Sequence, residues 1–351
     1  MNNEAMQNFG GQIQRLIRGE DLSRQETYEM FREVMLNEQP DLQQGAFLGA
    51  LVAKGETVNE IAGAWEAIDQ FDTVHASTAI KGPVVENSGT GMDKLNTFNV
   101  SSAAAIVAAS CGATMARHGA RALSSSCGTV DIMEAVGVNV ECEITTVEKS
   151  IQEAGIGLFN GMSAHIHPGG LGRILSQIRF GSTLNIAASL ANPCQPTIGL
   201  RGVGNENLLL PSAQVMQQIG YSRGMVVHGY DAASGDGMDE ISLCGETKVV
   251  EFTGDSLQEY NLTPEEVGLK RVSQQEIATT NNLESESERF KKVLAGDGPS
   301  ACIDFTCLNA GAILYIAGIC DSIKDGVAKS KAAIANHSAY DKLEQWKKLQ
   351  N

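Results

Sequence analysis

Apolar side chains recur at helical spacing through residues 10–72, and polar side chains fill the positions between them. Residues 23–26 and 57–60 both read Ser/Thr-x-x-Glu, the capping-box pattern in which a hydroxyl and a glutamate close the first turn of a helix. These patterns predict a small helical domain over residues 1–75. Helices near residues 165–190 are expected to join it.

Beyond Gly82 the pattern changes to short apolar runs that alternate with helical segments. Such alternation favours a parallel sheet, because parallel neighbours need a crossover connection, usually a helix. We therefore predict an α/β domain over residues 76–351, with a mostly parallel central sheet flanked by helices. The predicted strands are 84–85, 113–116, 138–140, 197–200, 225–228 and 248–252, and the predicted helices are 101–110, 130–136, 145–154, 309–317 and 326–349.

Two loops rich in glycine, serine and charge follow predicted strands. The first covers residues 88–93 (Ser-Gly-Thr-Gly-Met-Asp), and the second covers residues 117–129, with Arg117, Arg121 and a serine triplet. Each leads towards a helix, whose N-terminus offers free N–H groups and the positive end of a dipole to an anion. Two such loops side by side indicate a ligand with two phosphoryl ends.

The first loop allows close approach of a ligand, because Gly89 and Gly91 carry no side chain. The segment 97–102 then brings an amide and several hydroxyls to the start of the next helix, where they can bind phosphate oxygens or a hydrated magnesium ion. The alternative is that Gly-Thr-Gly is only a tight turn and that Asn99 or Ser101 is only a helix cap.

Two adjacent carboxylates, Asp239 and Glu240, come shortly after the predicted strand at 225–228. At the end of a strand such a pair can hold Mg²⁺ directly or through water, and the metal would neutralise a bound pyrophosphate. The alternative is a solvated pair at a turn. The preceding insert, residues 230–236, is either a mobile flap or a slack loop.

The composition narrows the partners of this chain. A net charge of −16 over 351 residues repels a nucleic-acid backbone, so we predict no nucleic-acid partner. Apolar runs such as residues 103–109 are too short to span a bilayer, so no membrane partner is expected. The eight cysteines form no Cys-x-x-Cys pair and no apolar signal segment opens the sequence, which predicts a reduced cytoplasmic protein without structural zinc.

Together these segments resemble the anthranilate phosphoribosyltransferase family over nearly the whole chain. Members carry a Gly-Thr-Gly-Gly-Asp loop, an Asn-Ile-Ser-Thr segment, a Lys-His-Gly-Asn-Arg loop followed by serines and glycine, and an Asp-Glu pair. The corresponding segments here are 89–93 (Gly-Thr-Gly-Met-Asp), 99–102 (Asn-Val-Ser-Ser), 117–121 (Arg-His-Gly-Ala-Arg), Ser124 with Ser125, and Asp239 with Glu240. Such ordered agreement is more specific than any single glycine motif.

The resemblance implies transfer of phosphoribose from 5-phosphoribosyl 1-pyrophosphate (PRPP) to the nitrogen of a small, aromatic acceptor, anthranilate or a relative of it, with Mg²⁺ and release of pyrophosphate. It also implies a homodimer and a place in tryptophan biosynthesis. The metal would be served by Ser101, Asp239 and Glu240. The donor would be held by Gly89, Thr90, Gly91, Asp93, Thr97, Asn99, Ser101, Ser102, Arg117, Ser125 and Thr129.

The acceptor side departs from the family at two positions. Ala120 replaces an asparagine, and Leu175 stands in place of an arginine, both of which touch anthranilate in the family. The resemblance therefore leaves the acceptor open. The candidate acceptor contacts are His118, Gly119, His165 and Arg173, although either histidine is as readily a packed core residue.

Two other functions stay open from the sequence. A nucleoside phosphorylase has a Gly-Asp-Lys loop similar to Asp93 followed by Lys94, but a phosphorolysis site has less use for the Asp-Glu pair. A non-catalytic homologue would keep the fold as a binding protein, and the retained loops count against it. Magnesium-dependent release of pyrophosphate separates the transferase from both.

Overall fold

The computed structural model describes residues 3–77, 80, 82–91, 95–121, 128–178 and 180–351. Two predicted donor contacts, Asp93 and Ser125, lie outside the described residues, as does Lys94 of the phosphorylase alternative. The helices are α1 (Asn3–Ile17), α2 (Arg24–Met35), α3 (Asp41–Lys54), α4 (Val58–Asp72), α5 (Val100–Ser110), α6 (Thr129–Ala135), α7 (Ile144–Ala154), α8 (Gly170–Ile178), α9 (Thr183–Ala187), α10 (Leu209–Gln218), α11 (Gln274–Ile277), α12 (Leu283–Ala295), α13 (Ser300–Ile316), α14 (Ile323–Ala335) and α15 (Ser338–Leu349). The strands are β1 (Val84–Gly89), β2 (Thr114–Gly119), β3 (Ile156–Asn160), β4 (Ile198–Gly202), β5 (Arg223–Tyr230), β6 (Gly237–Met238), β7 (Thr247–Thr253) and β8 (Ser256–Leu262).

Helices α1 to α4 form an N-terminal helical unit around the rings of Phe9, Phe31 and Phe47, which are buried and meet edge to face. Both predicted capping boxes are present, at Ser23 and at Thr57, so α2 and α4 begin where the sequence pattern indicates. Helices α8 and α9 pack against α2 and α4 and extend the same hydrophobic cluster.

The central sheet has the strand order β3-β2-β1-β4-β5-β7-β8. The first five strands of this order are parallel, whereas β7 and β8 form an antiparallel edge and the short β6 pairs with β5. The mostly parallel sheet that the sequence predicts is therefore confirmed. From β1 to β3 each successive strand is added on one side of β1, whereas β4 and β5 are added on the other side. The switch point of the sheet therefore lies between β1 and β4, and ligands of such folds bind there at the carboxyl ends of the strands.

One predicted strand is wrong, and two longer strands, β3 and β8, were not predicted. Residues 138–140 form a loop in which Val138 and Val140 are buried. Their alternation with an exposed residue resembles a strand pattern, but the segment does not pair with the sheet. The true strand is β3, where a Cβ on Gly157 would lie 2.7 Å from Val147 Cγ1, so close packing of α7 requires the glycine that obscured the strand pattern. The edge strand β8 is mostly polar and was not predicted either.

Helix α13 runs through the core of the α/β domain and packs on α5 and α14. Gly311 allows the close approach of α14, because a Cβ there would lie 2.7 Å from the Val327 nitrogen. Across the described part of the chain, no single helix is long and apolar enough to cross a membrane, and α12 with α13 reaches that length and composition only as a pair bent by 69°.

Candidate active site

Most of the predicted donor contacts that the structure describes lie at the carboxyl ends of β1 and β2 and at the start of α5, beside the switch point between β1 and β4. Consecutive strand residues point to opposite faces, so each strand end contributes to two surfaces. Arg117 on β2 contacts α5, whereas the next residue, His118, contacts His167 beside the helical unit. We call these surfaces the α5 face and the helical face.

The α5 face is built around the guanidinium of Arg117, which is 1 % exposed. Its nitrogens donate to Ser102 Oγ at 2.6 Å, to Ser101 Oγ at 3.2 Å and to the Asn87 carbonyl at 3.4 Å. Burial lowers the pKa of Arg117 to about 10, and the charge of Glu240 opposes this shift. The side chain is still a cation at neutral pH, held between two hydroxyls that the sequence assigns to the donor.

Asn99 stands at the N-cap position of α5, but its side chain makes no capping hydrogen bond. Its Oδ1 is buried and has no partner among the described residues, and the same is true of Asn87 Oδ1. A mere helix cap, the alternative considered from the sequence, does not describe Asn99. Thr97 lies just before it and forms an isolated β-bridge with Ala278.

The glycine loop after β1 is closed by Asp239. The N–H of Gly91 donates to Asp239 Oδ2 at 2.8 Å, and the Thr90 N–H donates to the Gly202 carbonyl at 3.0 Å. A Cβ on Gly89 would lie 2.0 Å from Asp239 Oδ2, and one on Gly202 would lie 1.6 Å from the Asp239 carbonyl oxygen. These two glycines are therefore required by the Asp239 segment itself, in addition to any space for a ligand.

Asp239 and Glu240 are half-buried, which does not fit a solvated pair at a turn. Burial raises the pKa of the Asp239 carboxyl, and the Gly91 N–H opposes the rise. Together with Ser101, which shares Arg117 as a neighbour with Glu240, they offer only oxygen donors, as Mg²⁺ prefers. Over the described ranges, no group of three or more His, Cys, Asp or Glu side chains could hold a metal, so water and ligand oxygens would complete the shell of a metal here.

The second loop brings Gly119 and Thr129 together. A Cβ on Gly119 would lie 2.8 Å from Thr129 Cγ2, so the start of α6 packs directly on the end of β2. Arg121 is bonded to Glu134 at 2.7 Å and lies 3.3 Å from Glu141, and these carboxylates raise its pKa. Arg121 is therefore engaged by carboxylates of this chain and does not present a free cation to a ligand.

On the helical face, His118 contacts His167 rather than His165. The two Nε2 atoms of His118 and His167 are 3.1 Å apart, and both rings are buried. His165 is exposed, with its Nδ1 3.1 Å from Glu143 Oε1. The sequence reasoning chose His165 and missed His167. The His-x-His sequence at residues 165–167 marks both histidines as candidates, but it does not show which of the two side chains points into the protein.

Arg201, at the end of β4, is a second buried cation that the sequence reasoning missed. It donates to Ser88 Oγ at 2.9 Å and to Ser189 Oγ, and its Nε has no partner among the described residues. Burial lowers its pKa, and the charge of the buried Glu86, which accepts a hydrogen bond from Tyr221 at 2.7 Å, opposes this shift. A lone arginine at the end of an apolar strand was the available signal.

Arg173, a predicted acceptor contact, is held by the helical unit. Its guanidinium donates to the Val34 carbonyl at 2.7 Å and to Gln44 Oε1 at 3.0 Å, and it lies 3.6 Å from Asp41. A role for Arg173 in binding the acceptor would require it to leave these partners. Leu175 is half-buried and packs on the same cluster.

A pocket of about 430 Å³ opens between the glycine loop, the end of β4 and the insert at 230–236. The insert is a closed turn: Asp231 accepts the Ser234 N–H at 3.0 Å, and its carbonyl accepts the Gly235 N–H at 2.8 Å. These bonds do not fit a slack loop. The pocket is lined by Thr90, Gly91, Gly204, Asn205, Glu206, Leu208, His228, Tyr230, Gly235, Asp236 and Gly237.

Comparison with known proteins defines the class of this fold and site. Residues 81–340 match the α/β domain of a glycosyl transferase family, and residues 12–71 match the helical bundle domain of the same family. The two matches cover most of the chain.

Individual relatives narrow the class further. The chain is 35 % identical to the anthranilate phosphoribosyltransferase of Lacticaseibacillus paracasei, covering 94 % of each chain, and 38 % identical to that of Polynucleobacter asymbioticus, covering 95 % of each. It superposes on the enzyme from Thermus thermophilus with a TM-score of 0.86 at 33 % identity, covering 96 % of this chain and 98 % of that one. The chain therefore belongs to the anthranilate phosphoribosyltransferase family.

The fold also matches a more distant solved structure. Anthranilate phosphoribosyltransferase from Saccharomyces cerevisiae, in complex with PRPP and Mg, superposes with a TM-score of 0.84 at 21 % identity and covers 99 % of this chain and 98 % of that one. This likeness concerns the fold.

Proposed function

We propose that this protein is a Mg²⁺-dependent phosphoribosyltransferase that moves phosphoribose from PRPP to the nitrogen of anthranilate or a related small aromatic amine. The observation that carries the proposal is the α5 face, where the buried Arg117 cation lies against the hydroxyls of Ser101 and Ser102 beside the Asp239–Glu240 pair. Relatives at 33–38 % identity over nearly the whole chain are named for this activity.

The proposed donor site combines hydroxyls, N–H groups and one cation. Arg117 and the N-terminus of α5 would hold phosphate oxygens, and the unpartnered Asn99 Oδ1 would accept from a ribose hydroxyl. Ser101, Asp239 and Glu240 would hold Mg²⁺, which when bound neutralises pyrophosphate charge. The remaining proposed contacts are Gly89, Thr90, Gly91, Thr97, Ser102 and Thr129, and Asp93 and Ser125 stay predictions.

The reaction breaks the bond between C1 of the ribose and pyrophosphate, which leaves positive charge on the ribose and negative charge on the leaving group. Arg117 and the helix N-terminus act on the negative charge as it develops, in a site that is already organised before the reaction. Alignment of the acceptor nitrogen with C1 supplies most of the remaining rate enhancement. No covalent nucleophile is needed.

The acceptor is proposed to bind on the helical face. A planar carboxylate is best gripped by a guanidinium, and the family arginine is Leu175 here. Arg201 supplies a buried guanidinium with an unpartnered Nε on this face, next to His118. An anthranilate-like acceptor would place its carboxylate at Arg201 and its amine towards His118.

The test is release of pyrophosphate from PRPP by the purified protein, with and without Mg²⁺, against anthranilate and ring-substituted aminobenzoates. We expect turnover that requires both Mg²⁺ and an acceptor with a carboxylate beside the amine. For anthranilate, turnover can be monitored by the loss of its fluorescence. Cleavage of nucleosides with inorganic phosphate would support a phosphorylase instead. Tight binding of PRPP without turnover by any acceptor would support a binding protein.

A homodimer through the helical unit is part of the proposal. This unit exposes three large apolar side chains, with Leu42 89 %, Ile17 71 % and Leu36 45 % exposed. Light scattering after gel filtration should give twice the monomer mass, and Leu42→Asp should halve it. The protein is further proposed to act in the cytoplasm without nucleic-acid or membrane partners, in keeping with its net charge of −16.

A further inference from the structure

The contact between His118 and His167 joins the two parts of the molecule. His118 is the penultimate residue of β2, and His167 lies on the segment between β3 and α8. His118 and His167 are 6 % and 5 % exposed, and their rings meet edge to face with centroids 5.2 Å apart. His167 Nδ1 is 2.7 Å from the carbonyl oxygen of Asp72, the last residue of α4. The pair therefore connects the end of the helical unit with the site at the end of β2.

The hydrogen bonds assign the tautomers of both rings. The Asp72 carbonyl can only accept, and Thr73 Oγ1, 3.4 Å from the same nitrogen, already gives its proton to the Ile68 carbonyl. His167 Nδ1 is therefore the N–H donor, and in the neutral ring its Nε2 is an acceptor. The contact of 3.1 Å between the two Nε2 atoms then requires the proton to be on His118 Nε2.

His118 Nδ1 is consequently a bare lone pair. It is buried and has no hydrogen-bond partner in the part of the chain that the structure describes. The titratable and charged groups that face His118 are His167 and Arg201, and both disfavour a second positive charge, whereas the backbone of Ser189 favours it and acts more strongly than Arg201. Burial, the largest effect, lowers the pKa of His118 to about 3, so the lone pair is available throughout the neutral range.

We propose that His118 Nδ1 accepts the proton that the acceptor nitrogen releases, and that His167 is a positioning residue that holds His118 in this tautomer. The inference rests on the proposed transferase function. As the bond from nitrogen to C1 forms, the bond from C1 to the pyrophosphate oxygen breaks and its electron pair leaves with that oxygen. One N–H proton of the amine then passes to His118 Nδ1.

The basicity of His118 matches one class of acceptor. An aromatic amine is itself a weak base, and it becomes a strong acid once its nitrogen has bonded to C1. A weak, buried base can take its proton, whereas an aliphatic amine, which is protonated at neutral pH, would meet a buried site already next to Arg201. The geometry therefore favours aromatic amines over aliphatic ones.

The test compares two substitutions at His167. In His167→Leu, the His118 Nε2 proton loses its acceptor, so the tautomer is no longer fixed. In His167→Gln, the side-chain carbonyl can accept that proton. We expect His167→Leu to lower kcat with the aromatic amine at least tenfold and to shift the acid limb of the kcat profile to higher pH, and His167→Gln to recover to within about fivefold of the wild type. His118→Gln should lower kcat about 100-fold.

The KM for PRPP and the thermal shift caused by PRPP with Mg²⁺ should stay unchanged in all three variants, which shows that the donor site is folded. His75→Leu, which removes an exposed histidine paired with Asp69 at 3.0 Å, is the matched control and should leave kcat unchanged. Equal kcat losses in His167→Leu and His167→Gln, or wild-type kcat in His118→Gln, would overturn the inference. An inactive wild type that binds PRPP would instead overturn the proposed function, so the two failures are distinct.

Discussion

Replacing Arg117 by methionine should abolish most donor chemistry while leaving the ligand-free protein at least as stable. Arg117 has five N–H donors, and three bonds to the protein use three of them. The other two remain for phosphate oxygens. At about 1.5–3 kcal/mol for each charge-assisted bond, their loss amounts to about 3–6 kcal/mol, or roughly 10²–10⁴-fold in kcat/KM for PRPP.

The stability of the variant should move in the opposite direction. Burial lowers the pKa of Arg117 from 12.5 to about 10, which corresponds to a cost of about 3 kcal/mol for keeping the cation in the folded protein at neutral pH. Methionine removes this cost, and the lost hydrogen bonds to neutral groups offset about 1–3 kcal/mol of the gain. The ligand-free Tm should therefore stay constant or rise, whereas the stabilisation by PRPP with Mg²⁺ should disappear.

The assay is differential scanning fluorimetry with and without PRPP and Mg²⁺, together with steady-state kinetics. Arg223→Met is the matched control, since Arg223 begins β5 at the other end of the sheet, 3.5 Å from Glu251 and over the ring of Tyr315. It should lower Tm slightly and leave kcat/KM unchanged. Arg117→Lys keeps the charge and should lose tenfold or less. A fall in ligand-free Tm of Arg117→Met with PRPP stabilisation intact would refute the reasoning.

Three further predictions follow from the same geometry. Gly89→Ala should displace the Asp239 carboxylate, because its Cβ would lie 2.0 Å from Oδ2, and should raise the Mg²⁺ concentration needed for turnover, whereas Gly45→Ala, with nothing within 4 Å of the new Cβ, should change neither activity nor metal demand. Asp239→Asn combined with Glu240→Gln should lower kcat at least 100-fold, and unchanged activity would rule out the metal assignment. Burial lowers the pKa of His118 to about 3 in the folded protein, against an ordinary value of 6.5. Between these two pH values the unfolded state binds a proton that the folded state does not, so the free energy of unfolding is highest above pH 6.5 and falls as the pH falls towards 3. Between pH 7.5 and 5.0, urea unfolding of His118→Gln should lose about 2 kcal/mol less than the wild type.

The sequence predicts the fold well where one local signal decides the structure. Capping boxes mark the starts of α2 and α4, and the predicted helices at 101–110, 130–136 and 145–154 agree with α5, α6 and α7 within one residue. The 326–349 pattern is instead two helices, because the chain turns at His337 with a φ of +63°. Amphipathic periodicity does not reveal such a break, because α14 and α15 each bury an apolar face.

The candidate site shows the same division. Arg117, Ser101 and Asp239 follow from motifs, because phosphate and metal binding require particular residue types in particular loops. Arg201 and His167 do not, because each occupies an ordinary-looking position, one in a strand and one in a connection. Their importance comes from burial and from partners that are distant in sequence, such as Ser88 and Asp72. The spacing of residues in the sequence does not predict these contacts.

The two faces of the sheet explain why the resemblance to the family is stronger for the donor than for the acceptor. The α5 face is fixed by one strand end, one helix N-terminus and the Asp239 segment, and Gly89 and Gly202 leave no room for that segment to move. The helical face is assembled from elements of both parts of the molecule, so one substitution there can be answered by another. Leu175 removes a guanidinium from a helix, and Arg201 places one on a strand end. If this exchange preserves the site, Arg201→Lys should raise the KM for anthranilate more than tenfold with the KM for PRPP unchanged, because an ammonium loses the planar grip on a carboxylate. Equal changes in both KM values would mean that Arg201 supports the sheet rather than the acceptor.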